Sequence, residues 1–121
     1  MVHVKRDAKS VRTLKHKLLL MIARDLTKKH TVIISSKLLS DPYCYAEVDR
    51  CGGLLVLNPS IKKGGLDEFI SSFVHECLHI FLKTGCDKTI NRLEKLLFAD
   101  MSAMEKQNIF DFLAKNATWD E

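Results

Sequence analysis

The sequence predicts a single α+β domain over residues 1–121. In it a small, mostly antiparallel three-stranded sheet packs on a buried helix, with one helix before it and two after. Three observations point this way. Apolar residues recur at three- and four-residue steps in residues 10–29 and again after residue 86, the period of a helix with one buried face. Short strand-like stretches bounded by Asp, Pro, Gly and Asn fill residues 31–57. The run from Leu66 to Lys83 is apolar on nearly every side, which marks a helix enclosed by the core.

Length and composition agree with one ordinary domain. A chain of 121 residues supports a single core, and 46% hydrophobic with 28% charged residues is usual for a globular protein. The net charge of +4 permits contact with nucleic acid but does not argue for it, because no long Lys/Arg block occurs. The basic residues between Lys5 and Lys17 and at Lys28–Lys29 read as a solvated helix face. No signal peptide opens the chain, and the apolar run Leu18–Ala23 is too short to span a membrane. A cytoplasmic, reducing location without membrane contact is therefore expected. The four cysteines, Cys44, Cys51, Cys77 and Cys86, form no C-x-x-C, so a thiolate zinc site is not expected. A Cys44–Cys51 bridge across a hairpin is not expected in that compartment either.

In chain order, Ser10–Lys29 reads as an amphipathic helix. Val11, Leu14, Leu18, Met21, Ile22 and Leu26 form its stripe and Ser10 is its candidate cap. Thr31–Ser36 is a β-branched strand. Ser40-Asp41-Pro42 breaks the chain, Tyr43–Val48 is a second strand, and Asp49–Gly53 is turn chemistry. Leu54–Leu57 is a third strand, pairing antiparallel with the second and ended by Asn58-Pro59. Lys62–Gly65 is a loop. After the buried helix, Thr84-Gly85-Cys86 is a stop. A helix over Asp87–Ala99 carries Ile90, Leu93 and Leu97 inward, with Asp87, Asn91 and Glu94 beside that stripe. Ser102 with Glu105 is a capping-box pattern for a last helix, which Met104, Ile109, Phe112 and Leu113 would pack onto the body. Asn116–Glu121 reads as a loose tail in which Trp119 is either a packing anchor or exposed.

The chemistry lies in the buried helix. His75-Glu76-Cys77-Leu78-His79 is an H-E-x-x-H, expected by chance in only about a few per thousand chains of this size. At about 100° per residue, His79 lies about 40° around from His75 and one turn along, so both imidazoles leave one face and can hold one metal ion. Glu76 lies about 60° from His79, too far round for a third ligand but placed to act as general base on a metal-bound water. Polar groups in a buried helix must be paired, and a metal supplies that pairing. His3, His16 and His30 lack ligand spacing and receive no function.

The order of strand, turn, strand ending in Leu57-Asn58-Pro59, short loop, H-E-x-x-H helix and acidic residue on the next helix resembles the zincin metallopeptidases. It is most similar to the small HExxH proteins of phages and other mobile elements. The residues carrying the resemblance are Gly53–Pro59, His75–His79 and Asp87–Leu97. It implies a minimal zincin-like domain with Zn²⁺ held by His75, His79 and a carboxylate from the following helix. Asp87 matches that position by register, although Glu is usual there, and Glu94 is the alternative third ligand. Asp87 could instead serve as a helix cap and Glu94 as a solvated charge.

Three functions follow as expectations. The first is a zinc metallopeptidase cutting a peptide or protein substrate, with Glu76 as general base and Leu54–Leu57 as an edge strand receiving the peptide. The second is a weak or inactive zincin-like module that binds protein or DNA and regulates. The third is metal-dependent hydrolysis of another bond.

Overall fold

A computed structural model describes residues 2–35, 46–49, 53–58, 66–83 and 86–119. The Ser40–Pro42 break, Tyr43–Tyr45, Cys44, Cys51, Pro59, the Lys62–Gly65 loop, Thr84–Gly85 and the last two residues lie outside them. The protein is α+β and mostly helical, with five helices and a four-stranded mixed sheet among the described residues.

Helix α1 spans Val2–Arg24 and a one-turn helix α2 spans Leu26–Lys29. The expected single helix is thus longer at its start and interrupted at Asp25. Ser10 lies inside α1 and is not its cap. Leu18, Ile22 and Leu26 are buried, with Val11, Leu14 and Met21 packed partly against them, so the predicted stripe is the face turned inward. Lys15 lies on the inner side too. Its Nζ meets Asp100 Oδ2 at 2.9 Å and Glu105 Oε1 at 3.1 Å, and donates to the Asp100 carbonyl at 3.1 Å. Burial alone would lower the Lys15 pKa, but these contacts outweigh it and hold it above its ordinary value.

Strands β1 (Thr31–Ile34), β2 (Ala46–Asp49), β3 (Leu54–Leu57) and β4 (Thr118–Trp119) line up in the order β2-β3-β1-β4. β2 and β3 pair antiparallel, as expected, with Ala46 opposite Leu57. β1 runs parallel to both β3 and β4. The mostly antiparallel three-stranded sheet is therefore corrected to a mixed sheet of four. The reason is that β3, after its hairpin with β2, inserts beside β1 with Val32 opposite Leu55 and Ile34 opposite Leu57. Those residues alternate into one core, whereas Leu54–Leu57 is buried almost throughout, as an inner strand is. The tail forms β4, with Trp119 exposed.

Gly53 precedes β3 at φ +66°, and its carbonyl accepts from the Thr31 amide at 2.7 Å. A Cβ there would lie 2.5 Å from the Lys29 carbonyl oxygen, so both the dihedral and the space require glycine.

Helix α3 (Leu66–Leu82) is the core element, touching α1, β2, β3 and the two helices that follow. Phe69, Ile70, Phe73, Val74, Cys77 and Leu78 are buried along it. It ends at Lys83, which takes the left-handed conformation at φ 53°. Helix α4 (Asp87–Asp100) turns Ile90 and Leu97 inward. Helix α5 (Ala103–Asn116) opens on the predicted capping box. The Ser102 Oγ accepts from the Glu105 amide at 3.1 Å, and Glu105 Oε1 accepts from the Ser102 amide at 2.9 Å. Ile109 and Leu113 are buried and Phe112 stacks on Phe73 at 6.1 Å, but Met104 is 74% exposed and does not pack. Its place in the first turn, beside the cap, faces away from the inner stripe.

Two outcomes are expected. Gly53→Ala should destabilise the fold by about 1 kcal/mol or more, read as a fall in thermal midpoint. Lys15→Met should unfold several degrees below wild type at neutral pH, with the gap closing in acid. The Lys15 contact holds Asp100 below the usual carboxylate range, and for Glu105 the Ser102 amide and Lys15 outweigh burial in the same direction. Such stabilisation is present above the unfolded-state values of about 4 and is lost as pH falls through the lower folded-state values. Thermal melts at stepped pH would show whether the gap narrows.

Candidate metal centre

The centre is built by α3 and α4. Ser71, His75 and His79 stand one helical turn apart on one face of α3. On α4, Asp87 lies beside His79 and Glu94 lies beside His75 and Ser71, so α4 runs back antiparallel along α3. The burial of Ile90 and Leu97 on α4 fixes this register.

The two imidazoles meet edge to edge, Nε2 to Nε2 at 3.2 Å. Asp87 Oδ1 lies 3.0 Å from His79 Nε2 and 3.6 Å from His75 Nε2. These three atoms form a group that could hold a metal ion. Ligands about 2.0–2.2 Å from a tetrahedral zinc lie about 3.3–3.6 Å from one another. The edges of 3.0, 3.2 and 3.6 Å lie at or a little below that spacing, so the three donors could close on one ion with a small outward shift.

Glu94 occupies a different position. Its Oε1 accepts from His75 Nδ1 at 3.0 Å, and its Oε2 accepts from the Ser71 hydroxyl at 3.0 Å. A carboxylate can only accept, so the proton sits on Nδ1 and the Nε2 lone pair of a neutral His75 faces His79 and Asp87. The same hydrogen bond raises the His75 pKa, against the opposing effect of burial. Asp87 and Glu94 thus approach His75 from opposite ring nitrogens, and the two roles left open by the sequence separate in space. Ser71 went unnoticed in the sequence, though its place four residues before His75 is the signal that could have found it. Asp87 has a 74% exposed side chain and faces solvent, open to an incoming ligand.

Glu76 is buried, at 7% exposure. Burial raises its pKa, partly opposed by His75 and His79. It lines a cleft of about 350 Å³ bounded by Ala46 of β2, by Glu68 and Ser72 of α3, and by Asn91 and Glu94 of α4. The expectation that Leu54–Leu57 is an edge strand is wrong. β3 has β2 on one side and β1 on the other, and Ala46 of β2 lines the cleft. Cys77 is buried on the opposite side of the motif and burial pushes its thiol pKa well above the ordinary value. Among the described residues no helix is long and apolar enough to cross a membrane.

Zinc titrations against a competing chelator should rank the variants by these positions. His75→Ala and Asp87→Ala remove donor atoms and should weaken binding the most. Glu94→Ala should weaken it about 10–100-fold, the usual effect of losing a carboxylate behind a ligating histidine. Greater loss in Glu94→Ala than in Asp87→Ala would exchange their roles.

No protein family, characterised protein or solved structure matches the chain, so the centre is read from its own geometry.

Proposed function

We propose that the protein is a zinc-dependent metallopeptidase whose ion is held by His75, His79 and Asp87. The observation carrying this reading is the triangle of two Nε2 atoms and one Oδ1, with edges of 3.2, 3.0 and 3.6 Å. Zinc, when bound, lowers the pKa of a coordinated water towards about 7 and polarises a substrate carbonyl.

The chain's own groups supply the rest. Ser71 orients Glu94, and Glu94 keeps the His75 proton on Nδ1, which leaves Nε2 as the donor atom. Glu76 takes a proton from the attacking water and passes it to the leaving amine. Its raised pKa suits this exchange, because a base works best with a pKa drawn towards the working pH.

Glu76→Gln tests the assignment. It should retain zinc at near wild-type affinity and lose peptide hydrolysis by at least about 100-fold, the scale of general-base catalysis. Elemental analysis and cleavage of a mixed peptide library are the two measurements. A native protein without metal and without cleavage would point instead to a binding module on the same scaffold.

A further inference from the structure

Helix α4 sorts its charges by side. Its carboxylates all turn to partners within the fold: Asp87 to His79, Glu94 to His75 and Ser71, and Asp100 to Lys15. Its cations, Lys88, Arg92 and Lys95, are exposed. They stand at i, i+4 and i+7, within about 60° of one another, and their stripe is centred about 100° or more round the helix from Asp87 and Glu94. Like charges at these spacings destabilise a helix, whereas a purely solvated face gains by interleaving acids among them. The stripe borders the groove between α1 and α4, a cavity of about 1170 Å³ against about 350 Å³ for the cleft at the metal centre. Val11 of α1 and Leu93 and Leu96 of α4 lie among the cations in its wall, and Leu96 is 44% exposed. On the α1 side, Arg12 is close enough to Asp100 to act on it. The chain before Ser10 carries Lys5, Arg6 and Lys9 against Asp7 alone, so the sequence leading into this wall is cationic as well.

We propose that this groove docks an acidic amphipathic helix of a partner protein. Charge and shape both point to that occupant. Lys88, Arg92 and Lys95 rise along α4 by about 6 Å and then about 4.5 Å, close to one helical turn each. Carboxylates at i, i+4 and i+7 of a helix laid alongside recur at the same rise, so each meets a cation. An apolar stripe beside those carboxylates covers Val11, Leu93 and Leu96, the contact of a helix laid in a groove. A phosphate backbone would meet the same cations but leave these apolar side chains uncovered. The stripe and the metal centre use different sides of α4, and the inference does not depend on the peptidase reading.

The test is fluorescence anisotropy of the full chain with a dye-labelled peptide amide made of two repeats of Glu-Leu-Ala-Ala-Glu-Leu-Ala. Its glutamates and leucines recur at helical spacing on adjoining faces. One twin has Gln for Glu and another has Ser for Leu. The acidic peptide should bind about fivefold or more tighter than either twin. Its lead over the Gln twin should narrow at about 0.5 M salt, where the screening length falls to about 4 Å. Arg92→Glu and Leu96→Ser, both at exposed positions, should each weaken binding by about fivefold or more. The double change Lys88→Gln with Lys95→Gln introduces no new charge and should do the same, and it replaces Arg92→Glu if that variant loses its circular dichroism. No binding at about 1 mM peptide overturns the proposal. So does equal affinity for the acidic peptide and its Gln twin, or an affinity unchanged in the folded variants. Equal affinity for the Ser twin overturns it too, because charge alone would then hold the peptide. Tighter binding of a dye-labelled oligothymidylate, lost in Arg92→Glu, overturns it in favour of nucleic acid.

Discussion

Helix α3 lies inside the fold and carries two imidazoles and a carboxylate there. That placement governs everything around it, because each polar group withdrawn from water needs a partner. α4 supplies partners for the two imidazoles. Its Asp87 and Glu94 reach the two histidines only because Ile90 and Leu97, on the neighbouring stripe, are drawn into the core. The sheet completes the enclosure from the other side, with β2 and β3 against α3. Apolar packing sets the register and the register assembles the polar site. A substitution that rotates α4 would therefore disturb the site without touching it.

Much of this was legible before any coordinates. The H-E-x-x-H places His75 and His79 on one helical face by period alone, and the structure brings their Nε2 atoms to 3.2 Å. The capping box at Ser102 and Glu105 is equally local and is found as read. The separate places of Asp87 and Glu94 were not legible. Both lie beside the inner stripe of one helix, and telling them apart needs the crossing of α3 and α4, a tertiary quantity. Ser71 was missed for the same reason, since its hydroxyl has meaning only once Glu94 is opposite it.

The sheet shows a second limit. Period and turn chemistry identified β1, β2 and β3 as strands, and the hairpin of β2 with β3 is a local pairing. The parallel neighbours of β1 are not. β3 reaches it only after β2 has turned, and β4 comes from the other end of the chain. A two-residue strand ending in an exposed tryptophan has no periodic pattern to reveal it. The consequence is that β3 is an inner strand between β2 and β1, and Ala46 of β2 stands beside the cleft.

The contacts of the centre are short in sequence compared with those of the body. His79 and Asp87 are 8 residues apart and His75 and Glu94 are 19, whereas Lys15 and Asp100 are 85. Closing a short loop costs less entropy and happens sooner than joining distant segments. The α3–α4 contacts can therefore form early in folding, ahead of the pairing of β4 with β1. The hairpin can gather these side chains while the sheet still lacks β4. Metal captured at that stage would tie the two helices together ahead of the remaining fold, so the ion's affinity would become part of the folding free energy. An ion bound at this hairpin would then bear on how much folded protein is made, apart from any chemistry it supports.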